Sequence, residues 1–68
     1  MDYYAIGQRI RKVRKAHGLS QEELAERVGI STTHMSHIET GNTKLSLPVL
    51  VELAAVLGLS TDSLLSDS

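Results

Sequence analysis

The sequence predicts one all-α domain spanning residues 1–68. Apolar residues recur three and four positions apart along most of the chain, which is the spacing that gives an α-helix one buried face. The single proline, with serines and glycines at intervals that suit helix ends, favours several short helices over strands. A chain of this length is close to the lower size limit for a core that folds unaided. We therefore expect every helix to contribute to one core.

Composition and charge narrow the class of protein. The chain lacks cysteine, which predicts a reducing compartment, and we expect a cytoplasmic protein. No apolar run reaches the ~20 residues of a membrane span, so no membrane partner is expected. The net charge is −1, but residues 1–17 are basic and residues 46–68 are acidic. This asymmetry can orient the molecule on a polyanion even though its total charge is small.

Five helices are predicted from the signals at their ends. Serine begins four of them by accepting a first-turn backbone N–H, and glycine closes four by adopting a left-handed conformation. Glu23 completes a capping box with Ser20, and Pro48 fits a first turn without losing a hydrogen bond. Residues 66–68 are expected to fray. The predicted helices are Tyr4–Ala16, Gln21–Val28, Thr32–Thr40, a fourth capped by Ser46 that ends at Leu57, and a fifth from Ser60 to Leu65.

Helical periodicity also predicts which side chains form the core. The apolar residues that recur on one face of each helix are Ile6, Ile10 and Val13; Leu24, Ala25 and Val28; Met35 and Ile38; and Leu47, Leu50, Leu53, Ala54 and Leu57.

Residues 20–40 form the most informative segment, two short helices joined by one glycine turn. The small Ala25 lets two such helices approach closely, and Gly29 makes the turn. The flanking segments G-L-S-Q, I-E-T-G and L-P-V-L-V-E-L-A-A-V-L-G-L-S fit the same pattern. From about residue 6 to 65 the sequence resembles the phage-repressor and Cro-type helix-turn-helix family, the Xre-like transcriptional regulators. The matched positions in the motif are Leu24, Ala25, Val28, Gly29, Ile30, Met35 and Ile38.

That resemblance implies a compact five-helix, lambda-repressor-like DNA-binding domain whose second and third helices form the helix-turn-helix. It implies that the third helix enters the major groove, commonly within a two-fold dimer on a palindromic operator. We therefore expect double-stranded DNA as the partner, a homodimer as the assembly, and transcriptional regulation, as a repressor, as the function.

The outward face of the third helix carries short polar side chains and no Lys or Glu. Threonine methyls can meet thymine methyls, hydroxyls can donate or accept, and an imidazole can reach guanine N7 or O6. The alternative is a solvated face whose hydroxyls bond back to the backbone. Related proteins often place Gln or Arg at these positions, so their absence here shifts sequence preference towards His37 and DNA shape. The expected base-reading residues are Thr32, Thr33, Ser36 and His37.

A second set of residues is expected to hold DNA phosphates. Gln21 begins the second helix, where its amide and the free backbone N–H groups suit an anion. Capping alone would explain Ser31, and a turn would explain Asn42. Lys44 is the only cation of the set, which predicts a shallow salt dependence. By the match to the family, the set comprises Gln21, Ser31, Thr40, Asn42, Thr43 and Lys44.

Arg14 and Glu39 each follow an apolar residue by four positions and so lie beside the apolar faces of their helices. In the family, residues at these positions form an ion pair between the first and third helices, and we interpret the pair as structural. Whether it is desolvated or exposed stays open at this point, and its contribution to stability depends on that difference.

The fourth helix is apolar on nearly every side, which indicates burial on more than one face. We expect a dimer surface there, with scattered surface valines as the alternative. The expected surface comprises Val49, Val51, Glu52, Ala55, Val56 and Leu59, to which Leu64 or Leu65 can add.

Other functions are set aside or kept as alternatives. His34 and His37 are three residues apart but converge poorly, so no metal is expected. No nucleophile–base spacing or phosphate loop is present, and we expect no enzyme, no cofactor and no small-molecule ligand. One alternative is an antitoxin or controller-type protein that binds a protein partner through its fourth and fifth helices. A helical adaptor with no DNA role is the other.

Overall fold

The computed structural model describes residues 1–66, which form five α-helices and so confirm the predicted all-α fold. The first helix begins one residue earlier than predicted because the side chain of Asp2 accepts the backbone N–H of Ala5 at 3.0 Å. The helices are α1 (Tyr3–Ala16), α2 (Gln21–Val28), α3 (Thr32–Thr40), α4 (Leu47–Leu57) and α5 (Thr61–Leu65).

The predicted frayed tail lies mostly outside the described residues, since it includes 67 and 68. Ser66, the remaining member, donates its backbone N–H to the carbonyl of Asp62 at 3.0 Å and closes α5.

Serine caps begin four of the helices in the same way. Each hydroxyl oxygen accepts the backbone N–H three residues later, which satisfies one of the free donors of the first turn. The pairs are Ser20 with Glu23, Ser31 with His34, Ser46 with Val49 and Ser60 with Ser63. At α2 the Glu23 carboxylate also accepts the backbone N–H of Ser20 at 2.8 Å, which completes the predicted capping box.

All five helices contribute buried side chains to one core. α1 packs against α3, α2 packs against α3 and α4, and α5 packs against α1 and α4. Burial of these side chains from water supplies the main stabilising free energy. The largest fully buried apolar side chains are Ile10, Leu24, Met35, Leu53, Leu57 and Leu64.

The backbones of α1 and α3 touch at a glycine. A Cβ atom at Gly7 would collide with the carbonyl oxygen of Ile38 and would lie 2.7 Å from that of Glu39. Gly41, with φ +75°, comes equally close to α1, because a Cβ there would lie 2.7 Å from the Cα of Tyr4. α3 therefore rests directly on the backbone of α1.

The start of α4 differs from the prediction. Leu47, expected in the core, is 70% exposed, while Leu45 and Val49 pack against the core at this end of the helix. Periodicity alone could not place the first turn correctly, because it does not show which side of that turn the core covers. Val49 lies on the covered side and Leu47 does not. Leu47 therefore belongs to the solvent-facing side of α4.

Candidate nucleic-acid interface

α3 presents one face to solvent and anchors the other. Met35, Ile38 and Glu39 are buried, whereas Thr33 and His37 are exposed. Because those two exposed residues are four positions apart, their side chains are neighbours on the helix surface. Three of the four predicted base-reading residues, Thr32, Thr33 and His37, are thus exposed, and Ser36 is half-buried beside them.

The start of α3 leaves hydrogen-bond donors free for a ligand. The oxygen of the Ser31 hydroxyl accepts the backbone N–H of His34 at 3.0 Å, so Ser31 caps the helix. The N–H groups of the first helical residues have no acceptor within a helix, and they carry its positive dipole end. No acidic residue lies in this first turn. An anion can therefore approach the start of α3 without repulsion from the helix itself.

The end of α3 is held by hydrogen bonds among predicted phosphate contacts. The Thr40 hydroxyl donates to the carbonyl of Ser36 at 2.9 Å and accepts from the Asn42 Nδ2 at 3.0 Å. The Thr40 hydroxyl is therefore bonded back to the backbone, and its lone proton has an acceptor within the chain. Asn42, by contrast, is exposed and keeps a second N–H on its amide nitrogen. Two further predicted phosphate contacts follow α3 in the chain: Thr43 is half-buried and Lys44 is exposed.

A buried ion pair fixes α3 to α1. The Nε and Nη2 atoms of Arg14 donate to the two carboxylate oxygens of Glu39 at 2.7 and 3.0 Å. The side chains are only 9% and 1% exposed, so the pair is desolvated. Arg14 also donates through Nη1 to the carbonyl of Leu19 at 2.9 Å. In this bidentate geometry, with the third guanidinium nitrogen also donating, a buried pair can offset its desolvation cost.

Two glutamines also donate to Glu39, and sequence reasoning missed both bonds. Gln21, half-buried at the start of α2, donates from Nε2 to the Glu39 Oε1 at 3.2 Å. Gln8 on α1 donates from its side chain to the Glu39 carbonyl oxygen at 3.1 Å. Gln21 and Glu39 are 18 residues apart, and no periodicity relates them. Within residues 1–66, no buried side-chain nitrogen or oxygen lacks a hydrogen-bond partner.

The apolar part of α4 that is exposed is smaller than the predicted dimer surface and is placed differently on the helix. Val49, Val56 and Leu59 are half-buried against the protein's own core. Val51, Glu52 and Ala55 are exposed, and Leu47 joins them one turn before Val51. The exposed apolar part of α4 thus runs from Leu47 through Val51 to Ala55.

Metal-ligand groups and membrane-spanning helices bear on other functions. No group of three or more potential metal ligands converges within residues 1–66. Over the same residues, none of the helices is both long and apolar enough to span a membrane.

Comparisons with known proteins agree with the five-helix fold. A family model described as helix-turn-helix matches residues 10–64. The transcriptional regulator SinR of Bacillus licheniformis is 41% identical over 63 residues, which cover 91% of this chain and 57% of SinR. The chain therefore spans little more than half the length of the SinR relatives it matches.

Solved structures show the same fold. The restriction-modification controller protein C.AhdI from Aeromonas hydrophila has 36% identity and a TM-score of 0.89, covering 93% of this chain and 96% of that one. SinR in complex with DNA has 42% identity and a TM-score of 0.84, covering 90% of this chain and 98% of that one. The chain belongs to the helix-turn-helix family of phage-repressor and Cro-type regulators.

Proposed function

We propose that this chain binds double-stranded DNA sequence-specifically by placing α3 in the major groove. The observation that carries the proposal is the exposed, uncharged Thr and His face of a helix whose other side is anchored by a buried ion pair. A major groove admits one α-helix, and base edges there accept, donate or offer a methyl group. SinR, 42% identical to this chain, has been solved in complex with DNA, which supports DNA as the ligand.

Four side chains of α3 supply the base contacts in this proposal. Thr32 and Thr33 offer methyl and hydroxyl groups at the start of the helix, and Ser36 adds a hydroxyl. His37 carries the one ring among them, and its nitrogen can donate to guanine N7 or O6. Because no bidentate Arg or Gln contact is available, DNA shape contributes the rest of the sequence preference.

Phosphate contacts orient the domain on the duplex without reading sequence. Gln21, Ser31, Asn42, Thr43 and Lys44 hold the backbone in this proposal, and Thr40 acts by positioning Asn42. Lys44 is the one cation of that set, so the salt dependence of binding is shallow. A steep dependence would require phosphate contacts from the basic residues of α1.

The biological role that follows is transcriptional repression in the cytoplasm by a dimer, without catalysis. SinR is a transcriptional regulator by name, and the chain matches it across the DNA-binding fold. The exposed apolar part of α4, Leu47, Val51 and Ala55, supplies the dimer surface. Two copies would then read half-sites about 34 Å apart, one turn of the duplex.

A second candidate is a controller-type protein, in which DNA binding is accompanied by a heterologous partner on α4 and α5. The match to C.AhdI, a restriction-modification controller protein, across 96% of its length supports this second candidate. Capture of the protein from its own cells would distinguish the two, because the repressor role predicts no stoichiometric partner of a different sequence.

Selection of bound duplexes from a randomised library tests the function directly. We expect a palindromic consensus, since two identical α3 helices related by a two-fold axis read the same bases twice. Failure to retain any duplex would overturn the proposal. A consensus without two-fold symmetry would contradict the proposed dimer but not the proposed DNA binding.

Replacement of His37 tests the reading face. His37→Ala should lower affinity for the selected duplex by about tenfold, the loss expected for one base contact, and leave affinity for a scrambled duplex nearly unchanged. His17→Ala, which removes an exposed imidazole at the end of α1, is the matched control. Equal losses on both duplexes would show that His37 contacts phosphate rather than bases.

A further inference from the structure

We infer that Tyr4 extends the DNA-binding surface from the end of α3 onto α1, with its phenol donating a hydrogen bond to a phosphate. The inference rests on the proposed DNA binding and adds a contact from outside the helix-turn-helix. The chain has only two aromatic residues, both in the first turn of α1. Tyr3 is half-buried, whereas Tyr4 is 62% exposed.

Close packing of two backbones places Tyr4 beside the residue at which α3 ends. A Cβ atom at Gly41 would lie 2.8 Å from the backbone nitrogen of Tyr4 and 3.0 Å from its Cβ. One turn further along α1, Gln8 donates its side-chain amide to the carbonyl oxygen of Glu39 at 3.1 Å. Residues four apart share one face of a helix, so this face of α1 follows the last turn of α3. The Tyr4 side chain therefore begins at the end of α3, and helix packing holds it there.

The neighbours of Tyr4 at this point are residues proposed to hold DNA phosphates. Asn42 directly follows Gly41, and its amide nitrogen donates to the Thr40 hydroxyl at 3.0 Å. Asn42 and Lys44 are both exposed. A DNA backbone that contacts Asn42 passes beside Tyr4 as well, since Tyr4 lies against the residue before Asn42.

The chemistry of the phenol suits a phosphate oxygen. Tyrosine offers one O–H donor, and it is among the side chains that contact DNA phosphates. Within residues 1–66, no hydrogen bond involves the Tyr4 hydroxyl, so its donor is available. The Thr40 hydroxyl differs, because it already donates to the carbonyl of Ser36 at 2.9 Å.

The backbone at the start of α1 does not supply this contact. Asp2 caps the helix, and its side chain accepts the backbone N–H of Ala5 at 3.0 Å. Its carbonyl oxygen accepts the backbone N–H of Ile6 at 3.1 Å. The exposed carboxylate of Asp2 also repels a phosphate that approaches the first turn. The contact therefore belongs to the phenol and not to the helix start.

A neutral donor has two effects that distinguish it from other contacts. A cation that neutralises a phosphate releases counterions and makes binding depend on salt, whereas a phenol carries no charge and leaves that dependence unchanged. Phosphates carry no sequence information, so the contribution of Tyr4 is the same on every duplex. A residue that reads a base would act on the preferred sequence alone.

Tyr4→Phe tests the inference, because phenylalanine lacks the hydroxyl and keeps the exposed ring. Affinity for a duplex selected from the random library should fall about tenfold, as for a hydrogen bond to a charged group. Affinity for a scrambled duplex should fall by the same factor. The slope of the logarithm of affinity against the logarithm of salt concentration should equal that of wild type.

Two variants serve as matched controls. Tyr3→Phe removes a hydroxyl from the half-buried neighbour and should leave both affinities unchanged. Lys44→Met removes a cation proposed to hold phosphate, so it should make the salt slope shallower by about 0.9. Wild-type affinity in Tyr4→Phe, or a loss confined to the selected duplex, would overturn the inference. A wild-type protein that binds neither duplex would overturn the proposed function instead.

Chemical modification of the wild-type protein gives an independent readout. Tetranitromethane nitrates exposed tyrosine rings, and mass spectrometry follows the reaction at Tyr4. The selected duplex should slow that reaction, because the bound backbone covers the ring. Nitration that is equally fast with and without the duplex would overturn the inference. Protection that develops without DNA as the protein concentration rises would place Tyr4 between copies of the chain and would overturn it too.

Discussion

α2 and α3 are built on the same backbone plan. Each begins at a serine whose φ and ψ are near −75° and 160°, and each ends at a glycine in the left-handed conformation. The first turn of α2 holds two glutamates, Glu22 and Glu23, whereas the first turn of α3 holds none. Glu23 also occupies the backbone N–H of Ser20. Similar helix ends therefore carry different charge: the start of α2 is acidic, and the side chains at the start of α3 are uncharged.

The difference assigns separate tasks to the two helices. Acidic groups at a helix start complement its dipole and stabilise it, but they repel a polyanion. α2 is thus locally stabilised by its acidic first turn. α3 lacks that local stabilisation, and its exposed face is uncharged. The buried Arg14–Glu39 pair holds α3 in place instead. Four experiments test this contrast between α2 and α3.

The largest effect is expected from removing the tertiary anchor of α3. Arg14→Met leaves the Glu39 carboxylate buried without its counter-charge, which costs about 3–5 kcal/mol. The double variant with Glu39→Leu should recover most of that loss, because no charge is then buried alone. Urea unfolding of both variants measures the difference. A loss below about 1 kcal/mol for Arg14→Met would mean that the pair behaves as an exposed one.

A second change makes the start of α3 resemble that of α2. Thr33→Glu should raise helix stability slightly, by about 0.3–1 kcal/mol. It should lower DNA affinity about 100-fold, since a like charge within an interface costs several kcal/mol. Ser63→Glu adds the same charge to the first turn of α5 and should affect binding far less. Similar losses for both variants would show that net charge, not the reading face, controls binding.

A third change tests how closely α3 rests on α1. Gly7→Ala places a methyl group against the carbonyl oxygen of Ile38 and should destabilise the domain by about 1–3 kcal/mol or more through overpacking. Gly29→Ala meets no atom within 4 Å and should cost only its left-handed strain, about 1–2 kcal/mol. Thermal unfolding compares the two. If Gly7→Ala proves the milder variant, α1 and α3 do not pack closely at Gly7.

The smallest effect is expected from acid at the start of α2. Backbone and side-chain hydrogen bonds with Ser20 hold the pKa of Glu23 below its usual value of 4.5. Its stabilising contribution is therefore present above that value and is lost as the pH falls through the lowered pKa. Wild type should exceed Glu23→Gln in urea midpoint near neutral pH, and the gap should close in acid. A gap that does not change with pH would contradict the capping box.

The anchor of α3 and the surface of α4 show what tertiary structure added. The positions of Arg14 and Glu39 were predictable through the family resemblance, but their desolvation and the added bond from Gln21 were not. Leu47 was expected inside and lies outside, while Val49 and Val56 are partly covered by the protein's own core. Hydrophobicity alone does not specify which apolar faces of a helix a neighbour covers, since that depends on where the other helices end.

The amino-acid sequence specifies the five helices, their serine and glycine ends, and the polar composition of the face of α3. Those features depend on backbone hydrogen bonds and side-chain types within a few residues, so a short segment is enough to predict them. Which polar groups remain available to a partner depends on contacts between distant segments, and these are set by the packing of the helices. The tertiary structure committed the Thr40 hydroxyl to the backbone, turned the Gln21 amide towards Glu39, and left Thr33 and His37 open to solvent.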